Sequence, residues 1–120
     1  MDLTKQTIAG LHRQLSDKKI SSVELTKTMF AQIKRTEPQI GAYLTLTEDY
    51  ALQTAAKVDK KIAVGEQITP LAGIPMALKD LICTEGIRTT CASKMLENFV
   101  PPYDAAVTEK LKNNDYVLLG

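Results

Sequence analysis

A chain of 120 residues fits one domain, and its 15 Lys and Arg against 14 Asp and Glu leave a net charge of +1. That balance excludes long-range attraction to phosphate backbones or anionic lipid as a default function. With 44% hydrophobic and 24% charged residues, and no apolar run near the roughly 20 residues of a membrane span, neither disorder nor membrane insertion fits.

Asp2, Lys5 and Gln6 interrupt any apolar core of a secretory signal. The two cysteines, Cys83 and Cys91, are too few for a secreted disulfide scaffold and match no metal signature. They read as packed, unbridged thiols of a cytoplasmic protein. The sole histidine, His12, reads as a packing or surface residue rather than part of a Ser-His-Asp site.

In chain order, Ile8, Leu11 and Leu15 recur at i, i+3 and i+7, which predicts a first helix, broken by the polar residues 17–19. Ser21 with Glu24 three positions later is a capping box that opens a second helix carrying Leu25, Met29, Phe30 and Ile33. Pro38, lacking an N–H, is expected to end it. From Ala42 to Thr47 the period changes to two, which predicts a strand. Helical spacing returns at Leu52, Ala55, Ala56 and Ile62, closed by Gly65.

The second half changes texture. Ile74 to Leu78 is a short apolar run, as in a strand buried on both faces. Asp104 is the expected N-cap of a helix carrying Val107 and Leu111 at i, i+4, ended by Asn113 and Asn114. Tyr116 to Leu119 follows as a second buried strand. Strand, helix, strand is the pattern of a parallel sheet, so the fold class is α/β. Residues 1–65 read as mainly helical with one strand, and 66–120 as the start of an α/β core. A buried strand that nothing follows is an unusual finish for a domain, so the chain is expected to be the amino-terminal part of a longer one.

Lys79 is the conspicuous chemical candidate, because it stands at the carboxyl end of the 74–78 run, the edge where open α/β sheets place their sites. To act as a base near neutral pH its amine must fall about three units from about 10.4, through burial or neighbouring cations. The bland alternative is a solvated lysine, one of twelve. The six glycines form no phosphate-cradling pair, and Thr89, Thr90 and Ser93 read as loop-stabilising hydroxyls.

Leu71-Ala72-Gly73-Ile74-Pro75-Met76-Ala77-Leu78-Lys79-Asp80 resembles the segment that carries the catalytic lysine in the amidase signature family. Residues 86–99, from Gly86-Ile87-Arg88-Thr89-Thr90-Cys91 to Glu97-Asn98-Phe99, and Pro101-Pro102-Tyr103-Asp104-Ala105 are similar to the A subunits of bacterial tRNA-dependent amidotransferases within that family. The resemblance implies the first strands and helices of a mixed α/β/α amidase-signature sheet. It implies a glutaminase whose ammonia converts Glu-tRNA(Gln) or Asp-tRNA(Asn) to the amidated form. It also implies a Ser, cis-Ser, Lys triad in which Lys79 is the only member carried here. Both serines of that triad belong to a Gly/Ser-rich segment downstream, so this segment alone is expected to be inactive.

By the same resemblance the partners are the B and C subunits and, mainly through B, the mischarged tRNA. No cofactor is expected in this chain; ATP and Mg²⁺ serve the partner. Leu81 departs from the family, where asparagine commonly follows the Lys-Asp pair. A general amidase of the same family and a non-catalytic module are the alternative readings.

Overall fold

The computed structural model describes residues 2–120. A 3-10 turn at Leu3–Lys5 leads into helix α1 (Ile8–Ser16), α2 (Ser22–Ile40) and α3 (Glu48–Ala63). Strand β1 (Pro75–Met76), a 3-10 turn at Lys94–Leu96, helix α4 (Ala106–Asn113) and strand β2 (Val117–Leu118) follow. The strands pair in parallel, Pro75 with Val117 and Met76 with Leu118. This is an α/β arrangement, dominated by helix, around a short parallel sheet.

Two apolar clusters hold it together. Phe30 and Ile33 of α2 and Ala51 and Ala55 of α3 pack with Val117 and Leu119, so β2 lies against the α2–α3 pair. Leu11 and Leu15 of α1 pack with Leu25 of α2 and with Ile74, which brings the start of β1 to α1. Each large side chain buried this way contributes about 1.5–3 kcal/mol. The chain thereby converts three amphipathic stripes into one support for two strands.

The caps show why the elements begin and end where they do. Ser21 Oγ accepts the Glu24 N–H at 3.0 Å, the serine half of the expected capping box. The remaining free amides of α2 are met from α3: Asp59 Oδ1 accepts the Ser22 N–H at 2.7 Å, and Asp59 Oδ2 the Val23 N–H at 3.0 Å. A carboxylate at a helix start also opposes the positive end of the helix dipole. Gly65, at φ 82, follows α3 as expected, its N–H reaching the Ile62 carbonyl.

Three expectations are corrected. Pro38 lies inside α2, which continues to Ile40 and ends at Gly41 in the left-handed conformation. The proline falls in the last turn, so the missing N–H removes a single bond while Gly41 still donates to Glu37 at 2.8 Å. Residues 42–47 bend at Leu44 and form no strand ladder. Glu37 Oε1 takes the Tyr43 N–H at 2.6 Å and Arg88 Nη2 donates to the Leu44 carbonyl at 2.9 Å, leaving Thr47 N–H to Leu119 O as the single backbone bond to the sheet.

Asp104 is not the N-cap of α4; Ala105 holds that place. The Asp104 carboxylate instead accepts the Glu85 N–H at 2.7 Å and both its oxygens bond Lys112 Nζ, at 2.9 and 2.7 Å. The inward face of α4 is set by Thr108, fully buried with its hydroxyl on the Cys83 carbonyl at 2.9 Å, whereas Val107 is 46% exposed. No helix is long and apolar enough to cross a membrane among the described residues.

Candidate active site

β1 ends at Met76, and the following residues bend across the carboxyl edge of the sheet. Leu78 N–H donates to Gly120 O at 2.9 Å, and Ile82 N–H donates to Lys79 O at 2.9 Å, closing a turn over residues 79–82. These two bonds fix the lysine backbone immediately beyond the strand pair. The side chain stands at the rim of a cleft of about 570 Å³, which Tyr43, Lys79, Asp80, Arg88, Cys91 and Leu118 help to line.

The expected location of Lys79 is therefore met, but the expected burial is not. Lys79 is exposed, and its Nζ makes no hydrogen bond or ion pair among the described residues. The reason is the turn at 79–82, which carries the residue out of the sheet rather than leaving it within one.

Asp80, the next residue, does what its neighbour does not. Its carboxylate accepts the Thr90 N–H at 2.8 Å, the Ala92 N–H at 3.2 Å and the Thr90 hydroxyl, and its carbonyl accepts the Cys91 N–H at 2.7 Å. Burial pushes the Asp80 carboxyl up, but these donors, with Arg88 nearby, outweigh it and hold it below the usual aspartate value. The turn that Asp80 grips is strained: Cys91 and Ala92 have φ of 51 and 56, in the left-handed region that a Cβ disfavours by roughly 1–2 kcal/mol per residue.

Arg88 ties the opposite edge of the cleft. Its Nε donates to Thr45 Oγ1 at 3.2 Å, Nη1 to Glu97 O at 3.0 Å and Nη2 to Leu44 O at 2.9 Å. One guanidinium thus joins the 44–45 segment to the 97 loop, which is what its planar fork of donors suits. Thr89 and Thr90 are buried and Thr89 Oγ1 bonds the Ile87 carbonyl, as their reading as loop-stabilising hydroxyls anticipates. Ser93 has no side-chain hydrogen bond among the described residues.

Both cysteines are free thiols. Cys83 is half-buried with its thiol 3.7 Å from the Tyr103 hydroxyl, but Cys91 is exposed, against the expectation that both are packed. Cys91 lies in an exposed turn, the next residue, Ala92, being exposed as well. His12 is half-buried in α1 and does not line the cleft, and its Nδ1 is unpartnered among the described residues. No group of three or more His, Cys, Asp or Glu side chains is placed to hold a metal among the described residues.

Asp80 and Arg88 line the cleft but are not among the candidates that the sequence offers. The signal for Asp80 was an acidic residue beside the candidate lysine with a Thr-Thr pair ten residues on; for Arg88 no local pattern distinguishes it from a solvated arginine.

Comparison with known proteins agrees with this geometry. The family described as amidase matches residues 24–120. The A subunit of a glutamyl-tRNA(Gln) amidotransferase from Clostridium acetobutylicum is 54% identical over 120 residues, all of this chain and 25% of the relative. Its namesake from Dehalococcoides mccartyi strain CBDB1 is 57% identical over 119 residues, 99% of this chain and 24% of the relative. The chain thus spans about a quarter of the length of the curated relatives it matches. Among solved structures, the native peptide amidase of Stenotrophomonas maltophilia superposes with a TM-score of 0.89 at 30% identity, over 97% of this chain and 24% of that one. The match over residues 24–120 carries β1, the lysine turn, the strained 90–92 turn and β2, and the chain belongs to the amidase family.

Proposed function

We propose that this chain supplies the lysine-bearing part of the A subunit of a glutamine-hydrolysing amidotransferase. The observation that carries the proposal is the place of Lys79, at the carboxyl edge of the parallel strand pair and open to the 570 Å³ cleft. The A-subunit names of relatives more than 50% identical over the whole chain support it.

In the proposed reaction Lys79, as the free amine, takes a proton through a bridging serine from the nucleophilic serine, both serines lying in the downstream Gly/Ser-rich segment. The serine oxygen attacks the side-chain amide carbon of glutamine. The C–N bond breaks, ammonia leaves carrying the relayed proton, and water hydrolyses the acyl-enzyme to glutamate. Backbone N–H groups near the nucleophile hold the oxyanion. Lys79 is exposed and lines the cleft, so its amine is open to a partner group there.

The ammonia passes to a partner that amidates Glu-tRNA(Gln) or Asp-tRNA(Asn), with ATP and Mg²⁺ serving that partner. The near-neutral charge of this chain suits a component that leaves the grip on tRNA phosphates mainly to the B subunit. The test is to assay the full-length protein with and without its partners. Glutamine hydrolysis coupled to amidation of mischarged tRNA supports the proposal; tRNA-independent hydrolysis of unrelated amides, with none of glutamine, assigns a general amidase instead.

A further inference from the structure

We propose that Asp80 is a positioning residue for the hydrolysis, fixing the backbone of Lys79 to the 90–92 turn so that lysine and turn keep one geometry in the cleft; this rests on the function proposed above for Lys79. Among the described residues, every hydrogen bond between the lysine segment 78–82 and the turn 89–93 runs through Asp80. Its carbonyl takes the Cys91 N–H, and its two carboxylate oxygens take the Thr90 N–H, the Thr90 hydroxyl and the Ala92 N–H. Lys79 itself is held on its other side by Leu78 N–H to Gly120 O. The lysine therefore sits between two anchors, the sheet and Asp80.

The chemistry of the anchor matters. Three side-chain acceptances need two oxygens, which a carboxylate offers and an amide does not. No Lys, Arg or His forms an ion pair with this carboxylate among the described residues, so its charge is committed to the turn. The turn needs it, because Cys91 and Ala92 both occupy the left-handed conformation and both line the cleft beside Lys79. Without the grip of Asp80 the turn relaxes toward ordinary backbone angles, and the segment carrying the lysine loses its second anchor.

The test uses the full-length protein with its partners. Asp80→Asn keeps the volume and removes one acceptor, and is expected to lower kcat for glutamine hydrolysis by about 10- to 100-fold with KM within about threefold of the parent. Hydrogen exchange of the peptide spanning 89–93 is expected to accelerate about tenfold or more, with exchange in α2 and α3 unchanged. Adding Ala92→Gly, which removes the Cβ that opposes the left-handed backbone, is expected to recover about fivefold of the lost kcat.

An Asp80→Asn kcat within about twofold of the parent overturns the proposal, as does a lost kcat with unaltered exchange at 89–93. If Asp80→Asn does not assemble, Thr90→Val decides: removal of that hydroxyl alone is expected to give the same split of kcat from KM, about three- to tenfold, and an unchanged kcat overturns the proposal. Failure of the functional reading shows separately, as a parent protein that does not hydrolyse glutamine, while the exchange measurement still reports whether Asp80 holds the turn.

Discussion

Leu78 donates its backbone N–H to the carbonyl of Gly120 at 2.9 Å, and this bond carries the parallel pairing of β1 and β2 up to the residue before Lys79. The candidate lysine is thus registered by the sheet itself, although it lies beyond it. The sheet in turn is placed by the α2–α3 pair, through Val117 and Leu119 against Phe30, Ala51 and Ala55. A change that loosens the helices therefore reaches the cleft through β2.

Gly73 is where that support is tightest. Its φ is +73, and a Cβ there would stand 2.8 Å from Ser22 Oγ and 3.1 Å from Val58 Cγ1, while its carbonyl accepts the Ser22 hydroxyl at 2.9 Å. Gly73→Ala is expected to lower stability by about 2–4 kcal/mol, from the disfavoured backbone angle and the overlap with buried neighbours. Chemical denaturation of the full-length protein measures this; a loss under about 0.5 kcal/mol contradicts the packing described.

The Asp104–Lys112 pair predicts a pH dependence. Burial pushes the Asp104 carboxyl up, but Lys112 Nζ and the Glu85 N–H more than offset it, so the group ionises below its ordinary value in the folded chain. A lowered folded value means stability that is fully present above the unfolded aspartate value of about 3.9 and is lost as pH falls through the folded one. Asp104→Asn is expected to lower the thermal midpoint at pH 7, with the gap to the parent narrowing below about pH 4. A gap that stays constant down to about pH 3 contradicts this.

The two thiols are expected to differ in reactivity. Cys91 is exposed at the cleft, while Cys83 is half-buried with its thiol against Tyr103. Titration of the folded chain with a disulfide reagent is expected to show a faster-reacting thiol that Cys91→Ser removes and Cys83→Ser leaves in place. Loss of the fast phase in Cys83→Ser instead overturns the assignment.

Much of the scaffold was legible in the residues. The Ser21 cap, the Gly65 ending and the two short apolar runs that pair in parallel each follow from local chemistry: a hydroxyl at a helix start, a residue free to adopt positive φ, and apolar side chains without polar interruption. The misreadings share a cause, which is competition from groups far along the chain. Residues 42–47 have the alternation of a strand, but Glu37 and Arg88 take the backbone groups a ladder would use. Asp104 has the chemistry of an N-cap, but Glu85 and Lys112 claim its carboxylate. Asp59 caps α2 from thirty-odd residues away, which no local pattern encodes.

For the site the same division holds. The place of Lys79 after a strand is legible locally, whereas the cleft it borders is not, because the cleft is assembled from the 42–45, 77–82 and 87–92 segments through the long-range bonds of Asp80 and Arg88. Its exposure was likewise hidden, being set by the turn at 79–82 rather than by the apolar run before it.

The most direct test is turnover of glutamine by Lys79→Ala in the full-length protein with its partners. Because Lys79 is exposed and its Nζ bonds nothing among the described residues, the variant is expected to fold and assemble normally. Its kcat is expected to fall about 10³-fold or more, in the range for loss of an acid–base group, with the thermal midpoint unchanged. Hydrolysis within about threefold of the parent would contradict it.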